Sequence, residues 1–154
     1  MDLYLVRHGE ARSGPDDDAR PLSERGRRDV ERVARALARA GVRVASIRHS
    51  GKLRARQTAE ILARALDLPG GETEMAGLAP DDDPVVVREA LGSAAEPTML
   101  VGHLPHLNRL SALLLAAEPG EEGPPLRPGE VVSLRTEGRG WRLRWSMTPE
   151  AVSE

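Results

Sequence analysis

The sequence has no cysteine and no phenylalanine, and its aromatic residues are two tryptophans and one tyrosine. Without cysteine there is no disulfide framework, no thiolate metal site and no cysteine nucleophile. With so few aromatics, the core has to be built from Leu, Val, Ile and Ala. No apolar run is long enough to span a bilayer. No basic segment followed by an apolar stretch opens the chain, so no secretory signal is expected and the cytoplasm is the default location. Charge of one sign is also missing: 22 basic residues face 24 acidic ones, for a net charge of −2. Nucleic-acid binding wants a strongly basic face, so it is not expected, and neither is a membrane partner. Lys52 is the only lysine among the 22 basic residues.

What is present is an alternation of strand-like and helix-like segments over 154 residues, the signature of a single α/β domain spanning 1–154. Residues 2–6 read as a first strand, and 12–22 as a polar loop. Ser23 is placed to cap a helix carrying Val30, Val33, Ala34 and Leu37, with Gly41 as its stop. Val42 to Ile47 read as a second strand. Thr58, Ile61, Leu62, Ala65 and Leu66 predict a helix over about residues 53–66, closed by Pro69-Gly70-Gly71. Residues 72–82 are expected as loop or a short edge strand, and Pro84 opens a helix with Val86, Val87 and Leu91. Thr98 to Val101 form a third strand. The next helix has Pro105 in its first turn and Leu107, Leu110, Leu113 and Leu114 on its apolar face. After a turn-rich loop at 118–129, "EVVSLRT" and "WRLRWSM" predict a hairpin across Glu137 to Gly140.

Residues able to do chemistry collect where strands end. Arg7, His8 and Gly9 follow the first strand; His49, Ser50 and Arg54 follow the second; Gly102 and His103 follow the third. In an open parallel sheet these ends share one edge, where ligands bind. Two guanidiniums offer forked donors for phosphate oxygens. A glycine after His8 allows close backbone approach to an anion. An imidazole in a positive field is biased toward its neutral, nucleophilic form. Arg7, His8, Arg54 and His103 are therefore expected in one pocket, with Arg7 holding a phosphoryl group that His8 attacks.

Other polar residues have plainer readings. His49 ends its strand, and Ser50 caps the helix that carries Arg54. Glu10 sits at the pocket rim. Arg20 either reaches the phosphate or pairs with the Asp16–Asp18 run. The acidic runs at 16–18 and 81–83 read as solvated loops. His103 and His106 have a spacing that zinc can use, but no carboxylate accompanies them, so His106 is read as a non-ligand and no metal site is expected. A metal hydrolase built on His8, His49, His103 and His106 is the rival reading.

"LVRHGEA" at 5–11, "LRARQTAE" at 53–60 and "VGHLPHL" at 101–107 resemble the three motifs of the histidine phosphatase superfamily, also called the phosphoglycerate mutase-like fold. "RPLSERG" at 20–26 and His103-Leu104-Pro105 are more similar to its small phosphohistidine phosphatase branch, the SixA type. The resemblance implies a three-layer α/β/α sandwich with a mostly parallel sheet. It implies transient phosphorylation of His8, and phosphate binding by Arg7, Gly9, Arg54 and His103, with Arg20 as a further candidate. It implies no cofactor. The substrate would be a phosphohistidine-carrying protein or a small phosphomonoester, and a weakly active phosphate-binding module is the remaining alternative. One departure is visible: Leu104 follows His103 where some relatives place an acidic residue. Asp81, Asp82 and Asp83 are the candidates for a general acid.

Overall fold

In a computed structural model, residues 1–116, 123 and 125–152 are described. The strands are β1 (Asp2–Arg7), β2 (Ser46–His49), β3 (Glu72–Glu74), β4 (Thr98–Gly102), β5 (Val131–Glu137) and β6 (Gly140–Met147). The helices are α1 (Glu24–Arg39), α2 (Leu53–Ala65), α3 (Pro84–Leu91) and α4 (His106–Leu114), with short 3₁₀ turns at Asp17–Ala19 and Pro149–Ala151. The six strands form one sheet in the order β3-β2-β4-β1-β5-β6. The β3-β2, β2-β4 and β4-β1 pairs are parallel; β5 is antiparallel to both β1 and β6. This is the α/β class that the alternation predicts, with the mostly parallel sheet that the resemblance implies.

Alternation along each strand sends side chains to two cores. Tyr4, Val6, Met99 and Val101 face α1 and α2, where they meet Val33, Leu37, Ala59 and Leu62. Leu3, Leu5 and Leu100 face the opposite way and meet Val87, Leu91, Leu107, Leu110 and Leu114. The helices therefore cover both faces, completing the three layers. Leu113, expected on the apolar face of α4, is only half-buried.

Three boundaries differ from expectation. The second strand is Ser46–His49 rather than Val42 to Ile47. Val42 is drawn off because its N–H bonds the carbonyl of Leu37, and Gly41 N–H bonds that of Ala38, which together seal the end of α1. Gly41 adopts φ 80°, as a helix-stopping glycine should. In α2 the stop is not Pro69-Gly70-Gly71. Asp67 takes the left-handed conformation, φ 59°, and Leu68 N–H reaches the Ala63 carbonyl at 2.7 Å. Pro105 lies just before α4 rather than inside its first turn. The other expectations hold: Ser23 caps α1 by accepting from Gly26 N–H, Pro84 opens α3, β3 is an edge strand, and Glu137 pairs with Gly140 across the hairpin. The loop expected at 118–129 falls partly on residues 117–122 and 124, outside the described residues.

Candidate active site

The register of the parallel strands brings the three motif ends together. Arg7 pairs with Gly102 across β1-β4, and His49 with Val101 across β2-β4. His8 N–H then bonds the Gly102 carbonyl at 3.1 Å, fastening the first motif to the third. The His8 and His103 rings meet with centroids 4.9 Å apart.

His8 is half-buried, and its Nδ1 lies 2.7 Å from the Gly9 carbonyl. A carbonyl can only accept, so Nδ1 carries the proton and the neutral ring keeps its lone pair on Nε2. Burial, together with the charges of Arg54, Arg7 and Arg20, pushes the His8 pKa down to about 4 against the pull of the Gly9 bond. His103 is 2% exposed, and burial with the neighbouring charges of His8, Arg54 and Lys52 pushes it down to about 3. Both rings are therefore neutral at pH 7.

Arg7 donates from Nη1 to the Leu126 carbonyl at 2.8 Å, while its Nε is buried without a partner. Arg54 is 4% exposed. Its Nη1 donates to the Asp17 main-chain carbonyl at 2.7 Å, and its Nε also has no partner. His103 Nδ1 is a third buried nitrogen without a partner. Arg7 and Arg54 keep N–H groups that could be offered to the oxygens of an anion near His8 and His103.

The structure gives several residues work that the sequence did not announce. Ser50 does accept from Lys52 N–H at 3.3 Å near the start of α2, but its hydroxyl also lies 2.6 Å from His103 Nε2. The expected cap is not formed: Lys52 holds the N-cap position of α2 with no side-chain cap bond, and Ser50 is instead a contact of His103. Gly9 gives its N–H to Thr58 Oγ1 at 3.1 Å, and Thr58 in turn donates to the Arg54 carbonyl. A side chain at Gly9 would run into Val30 and the Gly26 carbonyl, so this glycine lets the end of β1 pass against α1. The Asp16–Asp18 run is not a simple solvated loop: Lys52 Nζ holds Asp17 at 2.7 Å and Asp18 at 2.6 Å. Arg20 pairs with Asp17 at 3.4 Å, the ion-pair reading, and its charge is also felt at His8. Sequence spacing hides the contacts of Ser50 with His103, Gly9 with Thr58, and Lys52 with Asp17 and Asp18, which join positions 34 to 53 residues apart. The sole lysine, two positions before Arg54, was the available signal.

The remaining candidates are placed as follows. Glu10 accepts from Ser23 Oγ at 3.0 Å, and His49 ends β2 with Nδ1 accepting from Gly51 N–H. Asp82 accepts from Ala79 N–H and Asp83 caps α3 through Val85 N–H, while Asp81 is exposed. The carboxylate charge felt at His103 is that of Asp17. His106 is fully buried. Among the described residues, no three His, Asp or Glu side chains gather as a metal-ligand group.

Comparison with known proteins now adds to this geometry. The model of the histidine phosphatase superfamily (branch 1) matches residues 3–75. An uncharacterised protein of Picosynechococcus sp. is 34% identical over 150 residues, covering 88% of this chain and 86% of its own. The chain belongs to the histidine phosphatase superfamily. The phosphohistidine phosphatase SixA of Escherichia coli is 28% identical over 97% of this chain and 94% of that protein, which supports the SixA-type branch. A structure of SixA complexed with tungstate superposes with a TM-score of 0.86 over 97% of both chains, at 28% identity. A mycobacterial glucosyl-3-phosphoglycerate phosphatase shares the fold, with a TM-score of 0.71 at 20% identity over 97% of this chain and 98% of that one. This histidine phosphatase is accordingly a phosphatase hydrolase with a phosphoglycerate mutase-like α/β fold. Among its described residues no helix is long and apolar enough to cross a membrane.

Proposed function

We propose that the enzyme hydrolyses phosphohistidine in a protein through a covalent phosphohistidine on its own His8. One observation carries the reading: the Nδ1–H bond to Gly9 leaves the His8 Nε2 lone pair free, beside Arg7, Arg54 and His103, each with an unpartnered buried nitrogen. In the first step Nε2 attacks phosphorus, the Nε2–P bond forms, and the bond to the leaving group breaks as that group takes a proton. In the second step water attacks phosphorus, the P–N bond breaks, and phosphate leaves with His8 restored. Arg7 and Arg54 neutralise the phosphoryl oxygens, and His103 adds a donor as charge builds on them. All of this chemistry runs on side chains, with no cofactor.

Two features support this substrate class. Asp82 and Asp83 are occupied with backbone N–H groups, which leaves exposed Asp81 as the uncommitted member of that trio. An imidazole leaving group makes smaller demands on an acid than an alkoxide does. Among the described residues, the polar 3₁₀ turn at Asp17 and the main chain at Leu126 border the site, and a rim of that kind suits a side chain projecting from a folded partner better than a small substrate that needs enclosure. The name of the E. coli relative points the same way.

A panel of a phosphohistidine protein, phosphoramidate and sugar phosphates tests the proposal. We expect kcat/KM for the P–N substrates to exceed that for sugar phosphates by about tenfold, or roughly 1.4 kcal/mol in the barrier. Activity should be unchanged in excess EDTA. Faster turnover of a sugar phosphate would move the substrate to a small phosphomonoester. Loss of activity in EDTA, restored by zinc or manganese, would contradict the side-chain mechanism.

A further inference from the structure

The Asp17–Ala19 turn has no buried residue and is held against the site by polar contacts. Its central contact is the Asp17 carboxylate, whose side chain remains 56% exposed. Three cations reach that one carboxylate: Lys52 at 2.7 Å, Arg54 Nη2 at 3.4 Å to each oxygen, and Arg20 at 3.4 Å. Arg54 and Arg20 are phosphate-site candidates, and Lys52 lies on the turn that leads into the helix carrying Arg54. Their pull, with the Lys52 bond foremost, holds the Asp17 carboxyl well below the usual carboxylate range, so it is ionised at every pH at which the enzyme would work.

We propose that Asp17 is an internal anion that competes with the substrate phosphoryl group for Arg54 and Lys52, and so sets the oxyanion affinity of the site. This rests on the phosphatase reading of that site. Two chemical roles for Asp17 predict opposite signs. If the carboxylate served only to position Arg54, removing its charge would loosen the guanidinium and weaken phosphate binding. If it competes, removing its charge strengthens binding, because the three cations that reach it lose their counter-charge. The Arg54 Nη1 bond goes to the main-chain carbonyl of Asp17, which any residue at position 17 supplies, so that anchor survives substitution. The same arrangement makes Lys52 a phosphoryl-binding residue in waiting, released when the turn gives way. It also gives the site a selectivity rule: a trianionic or dianionic oxyanion displaces the carboxylate better than a monoanion does.

The test is calorimetric titration of the whole protein with inorganic phosphate, comparing wild type, Asp17→Asn, Asp17→Ser and Arg54→Gln. Asp17→Asn and Asp17→Ser should each bind phosphate about five- to tenfold more tightly than wild type, the scale of one nearby, partly screened charge. Unchanged or weaker binding in both variants, with wild type and Arg54→Gln differing as a phosphate site demands, would overturn the competing-anion role and leave the phosphatase reading intact. Phosphate binding equally well to Arg54→Gln would overturn both.

Discussion

At the scale of single residues, the site is a set of charges arranged around two neutral imidazoles. Arg54 is buried with an unpartnered Nε, so Arg54→Ala should cost about 2–4 kcal/mol in kcat/KM, the range for a major oxyanion donor. Arg54→Lys should be nearly as poor, because a point charge cannot fork onto two oxygens. Near-normal turnover by the lysine variant would refute the forked role. The His8 pKa of about 4 has its own test. An NMR titration of the His8 ring should show a midpoint far below 6.5, and adding phosphate should raise it, because a bound anion favours the protonated ring. A midpoint near 6.5 without phosphate would contradict the buried, cation-flanked placement. His8, Arg7, Arg54 and His103 are candidates from the sequence because each stands at the carboxyl end of a strand or the start of a helix, the edge of a parallel sheet where ligands bind. The roles of Ser50, Thr58 and Asp17 are not legible there, because they depend on side-chain reach across the fold.

At the scale of elements, α1 and α3 begin where their sequence signals place them, while the end of α2 does not coincide with the most obvious breaker. Ser23 and Gly41 bracket α1 as sequence rules demand, and Asp83-Pro84 opens α3. The end of α2 differs from the sequence expectation because an aspartate, not one of the following glycines, takes the left-handed position. That conformation costs an L-residue energy that glycine does not pay. Asp67→Gly should therefore stabilise the protein by about 0.5–1 kcal/mol, seen as a higher urea midpoint at unchanged slope. A lower midpoint would mean the Asp67 side chain contributes more than its backbone strain costs. The second strand was displaced for a related reason: "VRVASI" has strand composition, but the N–H of Val42 is committed to sealing α1.

At the scale of the whole molecule, the α/β class was readable from alternation, while the order of strands was not, since nothing local says that β4 inserts between β1 and β2. That insertion makes the site, because it sets His8 against Gly102 and His103. The fold also carries a pH signature. His8, His49, His103 and His106 are all shifted below 6.5, each chiefly by burial. Below pH 6.5 the unfolded chain therefore binds more protons than the folded one, and stability falls as pH drops from about 6.5 toward 4. The urea midpoint should fall between pH 7 and pH 5, and a midpoint that rises over that interval would contradict the burial of these rings.

The most direct measurement of the central claim is a rapid quench of the whole enzyme in base after mixing with a phosphoryl donor, followed by peptide mass spectrometry. Phosphohistidine survives base and is lost in acid, so the quench itself reports the kind of bond. The expected result is a phosphoryl group on His8 that persists in base, disappears in acid, and is absent from His8→Ala together with turnover. Full turnover by His8→Ala, with no phosphorylated histidine in the wild type, would contradict it.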